Sequence, residues 1–113
     1  MLLKAAQQLV NKNILVILVG GHPEELSEMG GYSLNKHLRL VGYSSFEMVR
    51  KYMAAADIFI LPNTGETRTS SHYTSPLKLF EYMAARRLII ASDLPSIREV
   101  VDEDCVIFVE PGN

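Results

Sequence analysis

The sequence lacks the features that would take it out of the cytoplasm or onto nucleic acid. A single cysteine, Cys105, excludes an internal disulfide and gives no sign of an oxidising compartment. There is no excess of positive charge: 11 Lys+Arg stand against 13 Asp+Glu, a net charge of -2. The basic face that nucleic acid requires is therefore not indicated. The longest unbroken apolar run is Ile14 to Val19, far short of the roughly 20 residues that cross a bilayer as a helix. Met1-Leu2-Leu3-Lys4 is not a charged segment leading into a long apolar one, so no secretory signal is read and a cytoplasmic location is expected. No Gly-x-x-x-x-Gly-Lys-Ser/Thr loop, Gly-x-Gly-x-x-Gly fingerprint or Gly-x-Ser-x-Gly elbow is present. His22, His37 and His72 have no metal-ligand spacing and read as surface or loop residues. There is no internal repeat and no low-complexity tract.

The chain does have the makings of one folded domain. It has 113 residues, 48% apolar and 21% charged, the proportions of a folded soluble domain rather than a disordered one. The second half is the acidic one, and Asp102-Glu103-Asp104 within it reads as a solvated turn. Leu3, Ala6, Gln7 and Val10 recur at helical spacing, predicting an opening helix that ends near Asn11. Ile14–Val19, Ile58–Leu61, Leu88–Ala91 and Cys105–Val109 are short apolar runs, and Leu38-Arg39-Leu40-Val41-Gly42 reads as a further short strand. Runs without polar alternation predict strands covered on both faces. Cys105, at the start of the last one, reads as a buried small residue.

Helical segments separate these runs. Pro23-Glu24-Glu25 suits a helix start. Ser44-x-x-Glu47 reads as a capping box opening a helix from Phe46 to Ala56, with 46, 49, 53 and 56 on its apolar face. Ser75-Pro76 opens a helix to about Arg86, and Ser96-x-x-Glu99 caps a short one. Buried-type strands alternating with helices predict a Rossmann-like α/β fold, a parallel sheet with helices on both faces.

In such a sheet ligands gather outside the carboxyl ends of the strands. Gly20-Gly21-His22, Gly42-Tyr43-Ser44 and the long segment 63–75 leave those ends. The helix start at Ser75 offers free backbone N–H groups and a partial positive charge. Lys78 stands where a capping box would have glutamate. It either turns into water or neutralises an anion, such as a phosphate, at that helix end. Glu81 lies among Leu77, Phe80, Tyr82, Met83, Ala84 and Ala85. A carboxylate in that setting needs partners. Lys78 one turn earlier and a pair of ligand hydroxyls are equally good ones.

Ser75-Pro76-Leu77-Lys78-Leu79-Phe80-Glu81-Tyr82-Met83-Ala84 and the stretch from Ile89-Ile90-Ala91-Ser92-Asp93 to Glu99-Val100 are specific motifs. With looser matches at Val16–Glu24, Leu40–Tyr43, Ala55–Pro62 and Val109–Gly112, they resemble the C-terminal domain of the group 1 (family 4) retaining glycosyltransferases of GT-B fold. The matches run in the family's order over nearly the whole chain.

The resemblance implies a domain that binds a nucleotide-diphosphate sugar. It puts Glu81 on the ribose hydroxyls, and Ser75, Pro76, Leu77 and Lys78 at the diphosphate or donor sugar. Gly42 and Tyr43 fall beside the base, and Gly20, Gly21, Tyr73 and Thr74 become candidate donor-sugar or loop contacts. It implies no bound metal and no other cofactor, because helix dipoles and basic side chains carry the charge of the leaving diphosphate. No residue is assigned a catalytic role. Two departures stand out. The family's earlier acid, eight residues before Glu81, is Tyr73 here, and its usual glycine and proline after the helix are replaced by Arg86 and Leu88. A lost helix-ending glycine costs about 1 kcal/mol where the position needs positive φ.

The resemblance further implies that residues 1–113 are one partial domain. The N-terminal acceptor-binding domain, this domain's first and central strand, and its closing helices have no counterpart here. The expected role is the donor-binding half of a transferase that is inactive alone and sits in the cytoplasm, or peripherally at a membrane in a full-length parent. The alternative is a non-catalytic nucleotide- or nucleotide-sugar-binding module. Without a central strand, the runs at 14–19 and 58–61 each keep an apolar edge, so self-association is expected.

Overall fold

In the computed structural model, which describes residues 2–9, 13–22, 24, 37–63 and 77–111, a strand forms at each of the five segments expected to hold one. The elements are α1 (Leu2–Gln8), β1 (Val16–Val19), β2 (Leu38–Val41), α2 (Phe46–Ala55), β3 (Ile58–Leu61), α3 (Leu77–Ala84), β4 (Leu88–Ser92), α4 (Pro95–Arg98) and β5 (Ile107–Val109). Every strand pair is parallel, as the alternation with helices predicts. The strands form two sheets, β1-β2 and β3-β4-β5. The chain divides accordingly into two compact units, residues 1–51 and 52–113.

In the first unit β1 and β2 pair from Val16 with Leu38 to Val19 with Val41. The Val16 N–H donates to the His37 carbonyl at 2.8 Å, and the Gly20 N–H donates to that of Val41 at 2.9 Å. Ile14 and Leu15 precede the ladder and are exposed, so the strand starts two residues later than its apolar run. Ile17 within it remains 40% exposed, which leaves part of one face uncovered where cover on both was expected. Ala6 of α1 and Leu38 are buried. So is His37, which lies in the turn before β2 as a loop residue but not on the surface. Its Nδ1–H donates to the Ile14 carbonyl at 2.9 Å, which fixes the ring beside the chain entering β1.

Capping of α2 also differs from expectation. The Ser45 hydroxyl, not that of Ser44, accepts the Met48 N–H at 3.3 Å, the geometry of an N-cap. Ser44 turns back and donates to the Gly42 carbonyl at 3.2 Å. Phe46 is exposed rather than on the packed face, with the Arg50 guanidinium 5.9 Å from its ring centroid. Glu24 has helical backbone, while Pro23 and residues 25–36 lie outside the described residues.

The second unit holds the main core. Phe59, Leu61, Ile89 and Ala91 form the buried sheet face and pack with Leu79, Leu94, Ile97, Val101 and Val106. The Phe59 and Tyr82 rings stack at 4.3 Å between centroids. On the opposite face Ile58, Leu88 and Ile107, each the first residue of its strand, are exposed, whereas Ile60 and Ile90 further along are half-buried. Cover on this face is therefore weakest at the amino ends of β3 and β4 and along β5, where Val109 is exposed as well. The helix α4 begins one residue earlier than its predicted cap: Leu94 is the N-cap and Pro95 the first helical residue, and Ser96 is buried inside the helix. Proline pre-sets the first-turn φ, and this outweighs the serine signal. Cys105 is exposed, not buried. The Cys105 and Val106 N–H groups both turn back to the Asp102 carbonyl, so β5 begins only at Ile107.

Candidate functional site

The carboxyl ends of β1 and β2 lie at one end of their sheet because the two strands are parallel. That end carries Gly20-Gly21 and Gly42-Tyr43, and the structure brings these four sequence-predicted residues together. Gly20 and Gly21 have φ of 110° and 91°, values that residues with a Cβ rarely adopt. No atom lies within 4 Å of where a Gly20 Cβ would stand, so backbone conformation and not space calls for glycine there. Tyr43 is 92% exposed and so presents its ring to whatever reaches the strand ends.

In the second unit α3 positions Lys78 and Glu81. Leu79 is wholly buried and Tyr82 half-buried against the sheet, which anchors the helix. Lys78 and Glu81 point to solvent, with side chains 59% and 42% exposed. The Lys78 Nζ donates to Glu81 Oε2 at 2.7 Å. Of the two partners the sequence left open for Glu81, this structure therefore shows Lys78. The apolar neighbours do not enclose the carboxylate, because Leu77, Phe80 and Met83 are themselves exposed on this short helix. Burial is the main cause that pushes the Tyr82 phenol above its ordinary 10.0, with Lys78 opposing and Glu81 adding to the rise. The remaining predicted site residues, Tyr73, Thr74, Ser75 and Pro76, lie outside the described residues.

After α3 the chain turns at Arg86, whose φ is 55° and whose N–H donates to the Met83 carbonyl at 3.0 Å. The position does need positive φ, as the lost family glycine suggested.

One cluster escaped the sequence. At the carboxyl end of β4 the Asp93 N–H donates to the Val109 carbonyl at 2.7 Å. The Arg98 guanidinium grips both Asp93 oxygens, reaches Glu103, and lies 4.3 Å from the Phe108 ring centroid. The hydrogen bond from Arg98 holds the Asp93 carboxyl below its usual range. This lattice ties the turn after β4 to β5. The Asp-to-Arg interval of five fits no helical pairing rule, so spacing carried no signal.

Among the described residues no three His, Cys, Asp or Glu side chains are grouped to hold a metal ion, and no helix is long and apolar enough to cross a membrane. No curated protein matches the sequence. Among solved structures, HepE from Anabaena, determined in complex with UDP-glucose, aligns with 98% of this chain at a TM-score of 0.73 and 18% identity. The alignment spans 31% of the HepE chain. That likeness extends the parallel α/β fold of the two units to a known architecture. The family model of the group 1 glycosyl transferases matches residues 1–113. Motif, fold and family model thus agree, and the chain belongs to the group 1 glycosyl transferases.

Proposed function

We propose that this chain binds the donor in a glycosyl transferase that moves a sugar from a nucleotide diphosphate to an acceptor. The observation that carries the reading is the Lys78–Glu81 pair, solvent-facing in the first turns of α3 within the most specific family motif. Glu81 takes the ribose hydroxyls through its two oxygens. Lys78, Leu77 and the segment Ser75-Pro76 serve the diphosphate. Gly42 and Tyr43 are assigned to the base, and Gly20, Gly21, Tyr73 and Thr74 are the candidates for donor-sugar or loop contacts. HepE, a structural neighbour solved with UDP-glucose, supports a nucleotide sugar as the donor class.

In the reaction the bond between the anomeric carbon and the β-phosphate oxygen breaks, and a bond from that carbon to an acceptor hydroxyl oxygen forms. The acceptor proton is lost and the nucleoside diphosphate departs. No metal or other cofactor is assigned in this reading. The leaving group's charge falls to backbone N–H groups and basic side chains, an arrangement that stabilises charge developing in a transition state. A separate acceptor-binding domain completes the enzyme, in the cytoplasm or at a membrane surface.

Titration with nucleoside diphosphates tests the site. Glu81→Gln should weaken binding by about 1–3 kcal/mol, the range for hydrogen bonds to a charged group. Equal affinity in variant and parent would remove Glu81 from the site.

A further inference from the structure

Within the candidate site one charged side chain already holds the other. The Lys78 Nζ donates to Glu81 Oε2 at 2.7 Å, so the ammonium takes one acceptor position of the carboxylate and competes there with any ligand hydroxyl. The pair is exposed and three residues apart, a class of ion pair that holds only weakly. Its polarity is also the poorer one for a helix: the cation precedes the anion and sits in the first turn, against the positive end of the dipole. An anion near the start of α3 reverses that disadvantage.

We propose that Lys78 is a shared cation whose partner changes on binding. It closes Glu81 while the site is empty, and transfers to the diphosphate as the ribose hydroxyls take the carboxylate. The proposal rests on the donor-site reading above and adds a mechanism of discrimination. A ligand with ribose but no phosphate competes with the ammonium for Oε2 and offers it no new partner. A nucleoside diphosphate competes in the same way and supplies the replacement. The exchange thus selects for complete diphosphates over nucleosides.

The test compares uridine with uridine diphosphate, and adenosine and guanosine with their diphosphates, by calorimetric titration. It uses the parent, Lys78→Met, Glu81→Gln and the double variant. Lys78→Met removes the ammonium from an exposed position and keeps a straight side chain suited to a helix. The expected result is a change of opposite sign for the two ligand classes. Nucleoside affinity rises about twofold as Glu81 is released, the worth of an exposed pair. Diphosphate affinity falls about tenfold or more as a charge-assisted contact is lost. In the Glu81→Gln background the nucleoside gain disappears, because there is no carboxylate left to release. Unchanged or weaker nucleoside binding by Lys78→Met would overturn the exchange. If Glu81→Gln has still weakened binding, the donor-site reading survives that result. If no nucleoside diphosphate binds the parent, or Glu81→Gln changes nothing, the site reading and the exchange fall together.

Discussion

Tyr82 joins the core to the candidate site at the scale of a single residue. Its ring stacks on Phe59 inside the second unit, while its helix carries Lys78 and Glu81 outward. Because burial raises the phenol's pKa above 10.0, the folded chain holds that proton more tightly than the unfolded one. The associated stability is fully present below pH 10 and is lost as pH rises through the folded value. Tyr82→Phe keeps the stack and removes the titrating group. Denaturant midpoints compared at pH 8 and pH 11 should fall less in Tyr82→Phe than in the parent; an equal or steeper fall would show that the phenol does not titrate in this way. The opposite polarity of neighbouring side chains on α3 was legible from the sequence, since a charged pair three apart must share a face. What was not legible was that Leu77, Phe80 and Met83 would stay exposed and leave Glu81 in water.

Elements show where local signals were outweighed. β3 follows its apolar run residue for residue, because Pro62 stops it and Asp57 precedes it. The starts of β1 and β5 do not, because a strand begins where a partner begins, and neither Leu38 nor Ile90 can be read from the run itself. Ser96 was a plausible cap only while Pro95 was ignored. The end of α3 gives a direct test. Arg86 holds a left-handed backbone, which an L residue adopts at a cost that glycine avoids. Arg86→Gly should stabilise the chain by about 0.5–1 kcal/mol, after allowing for glycine's greater freedom when unfolded. A urea midpoint no higher than the parent's would show that Arg86 makes up its backbone cost elsewhere.

Across the whole molecule, β1 and β3 each have one strand partner among the described residues, β2 and β4 respectively. Both strands are apolar throughout. An apolar edge without charge or proline is a template for pairing with another chain. Sedimentation of the purified 113-residue chain should reveal self-association that grows with concentration; a monomer at high concentration would show that both edges are covered. The tendency has a further root in the order of events during folding. Among the described residues every ladder is parallel, so none of these strands meets its partner through a tight turn. Val16 must find Leu38 across 22 positions, Ile58 must find Leu88 across 30, and Ile90 must find Ile107 across 17. The entropy of closing those loops is spent before any pairing repays it, and sheets of this kind form slowly for that reason. Nascent chains consequently spend their longest interval with Leu38, Phe59, Leu61 and Ile89, all buried in the finished fold, uncovered, and the ratio of folding time to encounter time sets how much of the protein survives its own synthesis in soluble form.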